Sequence, residues 1–184
     1  QTETGRAATS RIGSTACDIG DVAFSLRQPK SMHNTKRPDE KSRNVVEQNL
    51  TGVFLPCKVA GQQMIKQRSG KIINISSTAG SKGNPYQLHY SAAKAGVISL
   101  TNNLACLWAK HNINVNCIAP GLTATEGVAQ WLPAKTKEDG SPVPLLEYPP
   151  DPQHVADLTL FLAAPGSARI SGEIFPIRAL TEIV

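Results

Sequence analysis

The sequence predicts one α/β domain built on a parallel sheet, and three observations support that fold class. Segments with helical periodicity alternate with short, continuous runs of β-branched residues, as in a parallel sheet buried on both faces. The chain has 184 residues, which suits a single domain over residues 1–184. A composition of 40% hydrophobic and 18% charged residues excludes a disordered chain, a collagen and a coiled coil.

The first part of the pattern predicts a helix, a strand and a loop. A long amphipathic helix is predicted over residues 44–68, where Pro56 removes one backbone donor and a Ser-Gly pair ends the helix. Its apolar residues at near-helical spacing are Val45, Leu50, Val53, Phe54, Val59 and Met64. Residues 71–76, with the sequence KIINIS, predict a buried strand, and residues 80–85 predict a loop.

The second part repeats this order. Residues 90–110 predict a second long helix, and residues 113–119 predict a second buried strand, ended by a Pro-Gly pair. Residues 123–152 contain six of the 13 prolines and predict an irregular excursion, a feature that is often a functional lid. A helix over residues 153–163 and a strand over residues 173–177 complete the pattern.

Polar residues directly follow two of the predicted strands. The cluster Ser76-Ser77-Thr78 stands at the end of the first strand, and the cluster Pro120-Gly121-Leu122-Thr123 stands at the end of the second. Ligands of parallel α/β sheets bind at the carboxyl ends of the strands. The sheet therefore predicts a site at this edge before any motif is considered.

Tyr90 and Lys94 stand four residues apart at the start of a predicted helix, so that their side chains share one face. A free tyrosine has a pKa near 10, and a neighbouring ammonium group lowers that pKa by favouring the phenolate. The pair is therefore a candidate acid–base device. The spacing alone also arises by chance on surface helices.

The residues around this pair resemble the classical short-chain dehydrogenase/reductase family. The resemblance is carried by EQNLTGVF, then by GKIINISSTAGSKGNPYQLHYSAAKAG from Gly70 to Gly96, and then by INVNCIAPGLTAT. The later segment DPQHVADLTLFLAAPGSARISGEIFPI is similar to the closing helix and strand of the family. Over about residues 44–178, the resemblance implies a Rossmann-like, doubly wound parallel sheet with helices on both faces. It also implies an NAD(P)-dependent oxidoreductase that interconverts a secondary alcohol and a ketone.

The resemblance implies four catalytic residues. Tyr90 would be the general acid–base, and Lys94 would bind the nicotinamide ribose and lower the pKa of Tyr90. Ser77 would hydrogen-bond the substrate oxygen, and Asn49 would hold a water in a proton relay to Lys94. Read without the family, Ser77 is a turn cap and Asn49 a residue of a helix surface.

The resemblance also implies residues that bind the cofactor, Tyr90 and Lys94 among them. The others are Pro120, Gly121, Thr123 and Thr125 along the nicotinamide, and Asp18 and Ile19 at the adenine. The two threonines are equally compatible with plain loop residues. NAD and NADP stay open, because the residue that meets the adenosine 2′ position follows a strand that the sequence lacks.

Two features of the family are missing from the sequence. No TGxxxGxG turn is present, since the first glycine is Gly5 in TGRAAT, and no strand ending in Asn-Asn-Ala-Gly is expected between Asp18 and Asn49. Either stretches of the molecule are omitted from the sequence, or the protein is a truncation without its first two strands. Omission is favoured, because a truncated sheet exposes unpaired edges, and it predicts a backbone break near residues 25–38. A truncation would make the protein a non-catalytic remnant or an interaction protein.

The remaining expectations concern partners and location. The substrate is expected to be a small alcohol or carbonyl compound under a lid over residues 123–152. Apolar lining of that lid is expected from Trp131, Leu132, Leu145, Leu146 and Tyr148. The resemblance implies a homo-oligomer, a tetramer or a dimer, that assembles through the two long helices. The sequence lacks a run long enough to span a membrane and a signal-peptide core, so a cytoplasmic protein is expected.

Charge and cysteine content suggest neither a nucleic-acid partner nor a metal. The net charge is +5, but only 5% of residues are aromatic, so the basic stretch lacks stacking platforms and no nucleic-acid partner is expected. That stretch contains Lys30, Lys36, Arg37, Lys41 and Arg43. The four cysteines lack metal-ligand spacing, and we expect buried, reduced thiols. They are Cys17, Cys57, Cys106 and Cys117.

Overall fold

A computed structural model describes residues 22–25 and 39–180 and contains a four-stranded parallel sheet with the strand order β1-β2-β3-β4. The strands are β1 Val22–Ser25, β2 Gly70–Ile75, β3 Ile113–Pro120 and β4 Ile174–Ile177. The predicted α/β class is therefore confirmed. The two central strands coincide with the predicted ones to within one residue at each end.

Five α-helices accompany these strands in the described part of the chain. They are α1 Asp39–Val46, α2 Gly52–Gln67, α3 Thr78–Lys82, α4 Leu88–Trp108 and α5 Pro152–Ala163. A π-turn, Glu47–Thr51, joins α1 to α2. Single 3-10 turns cover Ala109–His111, Glu126–Trp131 and Pro165–Ser167. Among the helices of residues 39–180, none is long and apolar enough to cross a membrane.

The sheet is covered on both faces, as the doubly wound fold requires. On one face, Ile72 and Val115 pack with residues of α2 and α4, including Val97. On the other face, Ile73 and Ile118 pack with Leu162 of α5. Adjacent residues of β2 thus point into different cores, which explains why this strand is a continuous apolar run.

Two predictions of secondary structure are wrong. A strand, β1, lies between Asp18 and Asn49, where none was expected, and pairs in parallel with β2. It has only four residues, so its sequence signal is weak, and its hydrogen bonds come from the distant β2. The predicted loop over residues 80–85 begins as the helix α3, because the Ser77 side chain caps that helix.

Other predictions fall on residues that the structure does not describe. Asp18, Ile19 and Cys17 lie outside the described residues, as does the predicted backbone break beyond Ser25. The same holds for the first three residues of the basic stretch. Of the remaining cysteines, Cys57 and Cys117 are buried as expected, whereas Cys106 is exposed on α4.

The amino end of the sheet has its own polar junction. Lys71 Nζ donates a hydrogen bond of 2.7 Å to Ser167 Oγ, and that hydroxyl donates to Leu162 O at 2.7 Å. Ser167 is fully buried. The junction therefore ties the beginning of β2 to the end of α5, far along the strand from the predicted site.

Candidate active site

The carboxyl ends of β2, β3 and β4 meet where the sequence predicts a site. The backbone N–H of Ser76, just after β2, donates to Ile118 O of β3 at 2.8 Å. Gly121 N–H, just after β3, donates to Ile177 O of β4 at 2.8 Å. The polar residues that follow these strands therefore extend from a continuous parallel ladder, whose hydrogen bonds fix their relative positions.

Ser77 caps α3 and also faces the end of β3. Its Oγ accepts a hydrogen bond from Ala79 N at 3.2 Å and lies 3.3 Å from Pro120 O, to which it can donate. The turn-cap interpretation of Ser77 is thus correct, and it is compatible with a role in the site. The Ser77 side chain also lies close enough to Tyr90 to lower the pKa of its hydroxyl.

Tyr90 and Lys94 lie on the same face of α4, which runs beside the end of β2. Lys94 is 4% exposed, and its Nζ donates a hydrogen bond of 2.9 Å to Ile75 O, the last carbonyl of the strand. The same Nζ lies 5.6 Å from the centroid of the half-buried Tyr90 ring. The structure therefore brings Ser77, Tyr90 and Lys94 together at one strand end.

Burial dominates the electrostatics of this pair. Burial lowers the pKa of Lys94 from 10.5 to about 8, and the neighbouring Cys117 opposes this effect. Burial also raises the pKa of Tyr90, and the Ser77 side chain opposes that rise. The expected lowering of the Tyr90 pKa by Lys94 stays a prediction, because burial is the largest influence on this phenol and Lys94 is not among the groups that shift its pKa here.

Asn49 is buried inside the π-turn rather than exposed on a helix surface. It is 2% exposed, and its Nδ2 donates to Val45 O at 2.9 Å. Its Oδ1 is buried and has no hydrogen-bond partner among the described residues. A buried amide oxygen without a partner is costly unless a water or a ligand binds it. The helix-surface interpretation of Asn49 is therefore wrong.

The residues after β3 form a half-buried ledge at the same edge. Thr123 Oγ1 donates to Gly121 O at 3.4 Å, and Thr125 N–H donates to Thr123 O at 2.8 Å. These contacts fold the loop back towards the strand end. The structure therefore places Pro120, Gly121, Thr123 and Thr125 on one continuous segment beside Ser77.

Two further residues lie at this edge: Ser76, which belongs to the predicted polar cluster after the first strand, and Arg178, which the sequence reasoning missed. Ser76 Oγ donates to the backbone carbonyl of Lys94 at 2.7 Å. Arg178 covers Gly121, since a Cβ added to that glycine would lie 2.8 Å from Arg178 Cβ. Arg178 directly follows β4, and that position is the signal that could have identified it.

The excursion over residues 123–152 is irregular apart from the turn at Glu126–Trp131 and a single bridge between Thr136 and Pro142. Its base is closed by a hydrogen bond of 2.8 Å from Ala124 N to Pro150 O. A second bond, from Leu180 N to Leu146 O, links it to the segment after β4. Three of its large apolar residues are half or more exposed, namely Trp131, Leu145 and Leu146.

No metal site accompanies these residues in the part of the chain that the structure describes. There, no group of three or more His, Cys, Asp and Glu side chains is arranged to hold an ion.

The parallel sheet with helices on both faces defines a doubly wound α/β protein. Residues 26–136 match the family profile described as short chain dehydrogenase, which is more than half of the chain. The chain belongs to the short-chain dehydrogenase family, a family of oxidoreductases.

Curated relatives and solved structures agree with this assignment. The chain is 42% identical over 139 residues to a 3-oxoacyl-[acyl-carrier-protein] reductase of Synechocystis, covering 72% of this chain and 53% of the relative. A second such reductase, from Thermotoga maritima, is 42% identical over 134 residues, with 72% and 54% covered. The chain thus spans about half the length of the curated relatives that it matches.

Two solved structures share the fold. The acetoin dehydrogenase of Salmonella typhimurium matches with a TM-score of 0.72 at 26% identity, covering 86% of this chain and 63% of that structure. A xylitol dehydrogenase with bound NAD+ matches with a TM-score of 0.75 at 26% identity, covering 87% and 68%.

Proposed function

We propose that this protein is an NAD(P)-dependent oxidoreductase that interconverts a secondary alcohol and a ketone, with Tyr90 as the general acid–base. The observation that supports the proposal is the meeting of Ser77, Tyr90 and Lys94 at the end of β2. A carbonyl oxygen gains negative charge during reduction. The two hydroxyl groups and the cation at this strand end can stabilise that charge.

In the proposed reduction, the substrate oxygen accepts hydrogen bonds from Ser77 and Tyr90. The raised pKa of Tyr90 keeps its phenol protonated at neutral pH, so that a proton is available for the developing alkoxide. Lys94 then stabilises the phenolate that remains, because its Nζ lies on the ring face of Tyr90. In the oxidation direction, Tyr90 takes the same proton back.

The donor set of Lys94 fits a nicotinamide cofactor. An ammonium group has three hydrogens, and one of those of Lys94 goes to Ile75 O. The other two would bind the neighbouring hydroxyls of the nicotinamide ribose, beside Tyr90. A bound nicotinamide would supply or accept the hydride. The ledge Pro120, Gly121, Thr123 and Thr125 would line it, and Asp18 and Ile19 would contact the adenine.

Asn49 is proposed to bind the water of a proton relay. Its buried Oδ1 has no partner within residues 39–180, which is the condition for an ordered water. Such a water would connect Asn49 to Lys94, and through the ribose hydroxyls to Tyr90. A proton lost by Tyr90 would then be replaced without opening the site.

The lid over residues 123–152 is proposed to close over the substrate. Its exposed Trp131, Leu145 and Leu146 favour an apolar substrate. A 3-oxoacyl thioester is therefore one candidate, in line with the names of the curated relatives. Exposed apolar residues on α2, Phe54 and Val59 among them, are compatible with assembly into a dimer or a tetramer.

A cofactor titration tests the proposal. The fluorescence of NADH and of NADPH is followed as protein is added, and the rate of cofactor oxidation is then measured with acetoacetyl thioester and with acetoin. We expect saturable binding of one cofactor and turnover that Tyr90→Phe removes. Absence of binding by both cofactors would instead support the alternative, a non-catalytic remnant or an interaction protein.

A further inference from the structure

Residues 75–77, which are the last residue of β2 and the two that follow it, contact the candidate catalytic residues of α4. Ile75 O accepts the hydrogen bond of Lys94 Nζ, and the Ser77 side chain influences the pKa of Tyr90. Ser76, between them, donates to the backbone carbonyl of Lys94 at 2.7 Å. We call these contacts of residues 75–77 with α4 the strand–helix clasp.

The Ser76 contact is not needed to form the helix. Lys94 lies in the middle of α4, where each carbonyl already accepts a hydrogen bond from the N–H four residues later. The Ser76 hydroxyl is therefore an additional donor to this carbonyl, and it comes from a different element of the fold. What it fixes is the distance between the end of β2 and one peptide of α4.

Ser76 is itself held rigidly. It is 3% exposed, and its backbone N–H donates to Ile118 O of β3. On the neighbouring side, Gly80 of α3 packs directly on the Lys94 peptide. A Cβ at Gly80 would lie 2.7 Å from Lys94 C and 2.8 Å from Lys94 O. The Lys94 peptide is thus confined between α3 and the Ser76 hydroxyl.

We propose that Ser76 is a positioning residue that sets the register of α4 against β2, so that Tyr90 and Lys94 meet Ser77. The effect of Ser76 on kcat rests on the proposed function, whereas its effect on the surroundings of Tyr90 does not. Catalysis requires reacting groups to be held within fractions of an ångström, so a small shift of α4 has a large effect on rate.

The test compares Ser76→Ala with two matched serine variants. Ser81→Ala removes an exposed hydroxyl of α3 that donates to Thr78 O of the same helix at 3.1 Å. Ser167→Ala removes a buried hydroxyl at the amino end of the sheet. We expect Ser76→Ala to lower kcat by about tenfold with little change in KM, and both controls to keep kcat.

A second readout does not depend on turnover. The sequence has three tyrosines, Tyr86, Tyr90 and Tyr148, so 13Cζ-tyrosine NMR gives three signals, and Tyr90→Phe assigns the one of interest. The Ser77 side chain lowers the Tyr90 pKa, and this effect weakens if α4 moves away from Ser77. Ser76→Ala is therefore expected to shift the Tyr90 titration to higher pH, while the two controls leave it unchanged.

The outcomes separate the two proposals. If the wild-type protein turns over no substrate, the proposed function fails, and the NMR titration alone decides on Ser76. A Tyr90 signal that is identical in Ser76→Ala and wild type overturns the positioning role. An equal shift in Ser167→Ala also overturns the positioning role, because the effect would then come from a general loss of packing and not from a local movement of α4. If Ser76→Ala does not fold, Ser76→Cys replaces it: a weak donor of similar size must shift Tyr90 in the same direction.

Discussion

Replacing Lys94 by methionine tests the cost of burying an ammonium group beneath the candidate site. Lys94 is 4% exposed, and burial lowers its pKa from 10.5 to about 8. One pKa unit corresponds to about 1.4 kcal/mol, so the shift amounts to about 3 kcal/mol. Below pH 8 the free energy of unfolding is lowered by this amount, because the buried group is protonated in the folded protein.

The sign of the pH dependence follows from the direction of the shift. Between pH 8 and 10.5 the unfolded chain holds more protons at Lys94 than the folded chain, so the free energy of unfolding rises with pH. From pH 8 to 9 this contribution rises by about 1 kcal/mol. Cys57 and Cys117 oppose it at higher pH, since burial raises their pKa from 9.0 to about 11.

Urea unfolding at pH 8 and at pH 9 measures this contribution as a difference between proteins. Relative to Lys94→Met, the wild type is expected to gain about 1 kcal/mol of unfolding free energy between the two pH values. Lys66→Met, at an exposed position of α2, controls for the loss of a lysine charge. A difference between wild type and Lys94→Met that stays constant or falls with pH would refute the reasoning.

Three further predictions concern the same region. Tyr90→Phe keeps the buried ring and removes the hydroxyl, so turnover is expected to fall by about 10³-fold with an unchanged Tm, and retained turnover would contradict the acid–base role. Gly80→Ala is expected to lower the free energy of unfolding by about 1–3 kcal/mol in thermal melts, because the new Cβ would lie 2.7 Å from Lys94 C. Thiol labelling of the folded protein, read by mass spectrometry, is expected to modify Cys106 and to spare Cys57 and Cys117, and labelling of either buried thiol before unfolding would count against the described core.

Much of the fold could be predicted because its central elements have strong local signals. The strands β2 and β3 are continuous apolar runs, and α4 is long and rich in good helix formers, so residues near in sequence suffice to identify them. By contrast, β1 has four residues and depends on β2 for its hydrogen bonds. A strand that short is defined by a partner far along the chain.

The proximity of the candidate residues could be predicted, but their burial could not. That Ser77, Tyr90 and Lys94 lie together follows from motif and strand order. The rise of the Tyr90 pKa does not follow from the sequence, because it depends on how deeply the folded chain buries the phenol. The burial of Asn49 was equally invisible, since it requires a turn of irregular pitch.

The π-turn at Glu47–Thr51 affects the direction in which the buried side chains of this segment point. The inward-facing residues Asn49, Val53, Cys57 and Gly61 recur every four residues. In a regular α-helix, a step of four residues rotates each side chain by about 40° from the one before, so the first and last would diverge by about 120°. The wider turn at Glu47–Thr51 removes part of this drift, because Gly52 N–H bonds Glu47 O five residues back. Deleting one residue there would turn Asn49 by about 100° away from the face that α2 presents to the sheet.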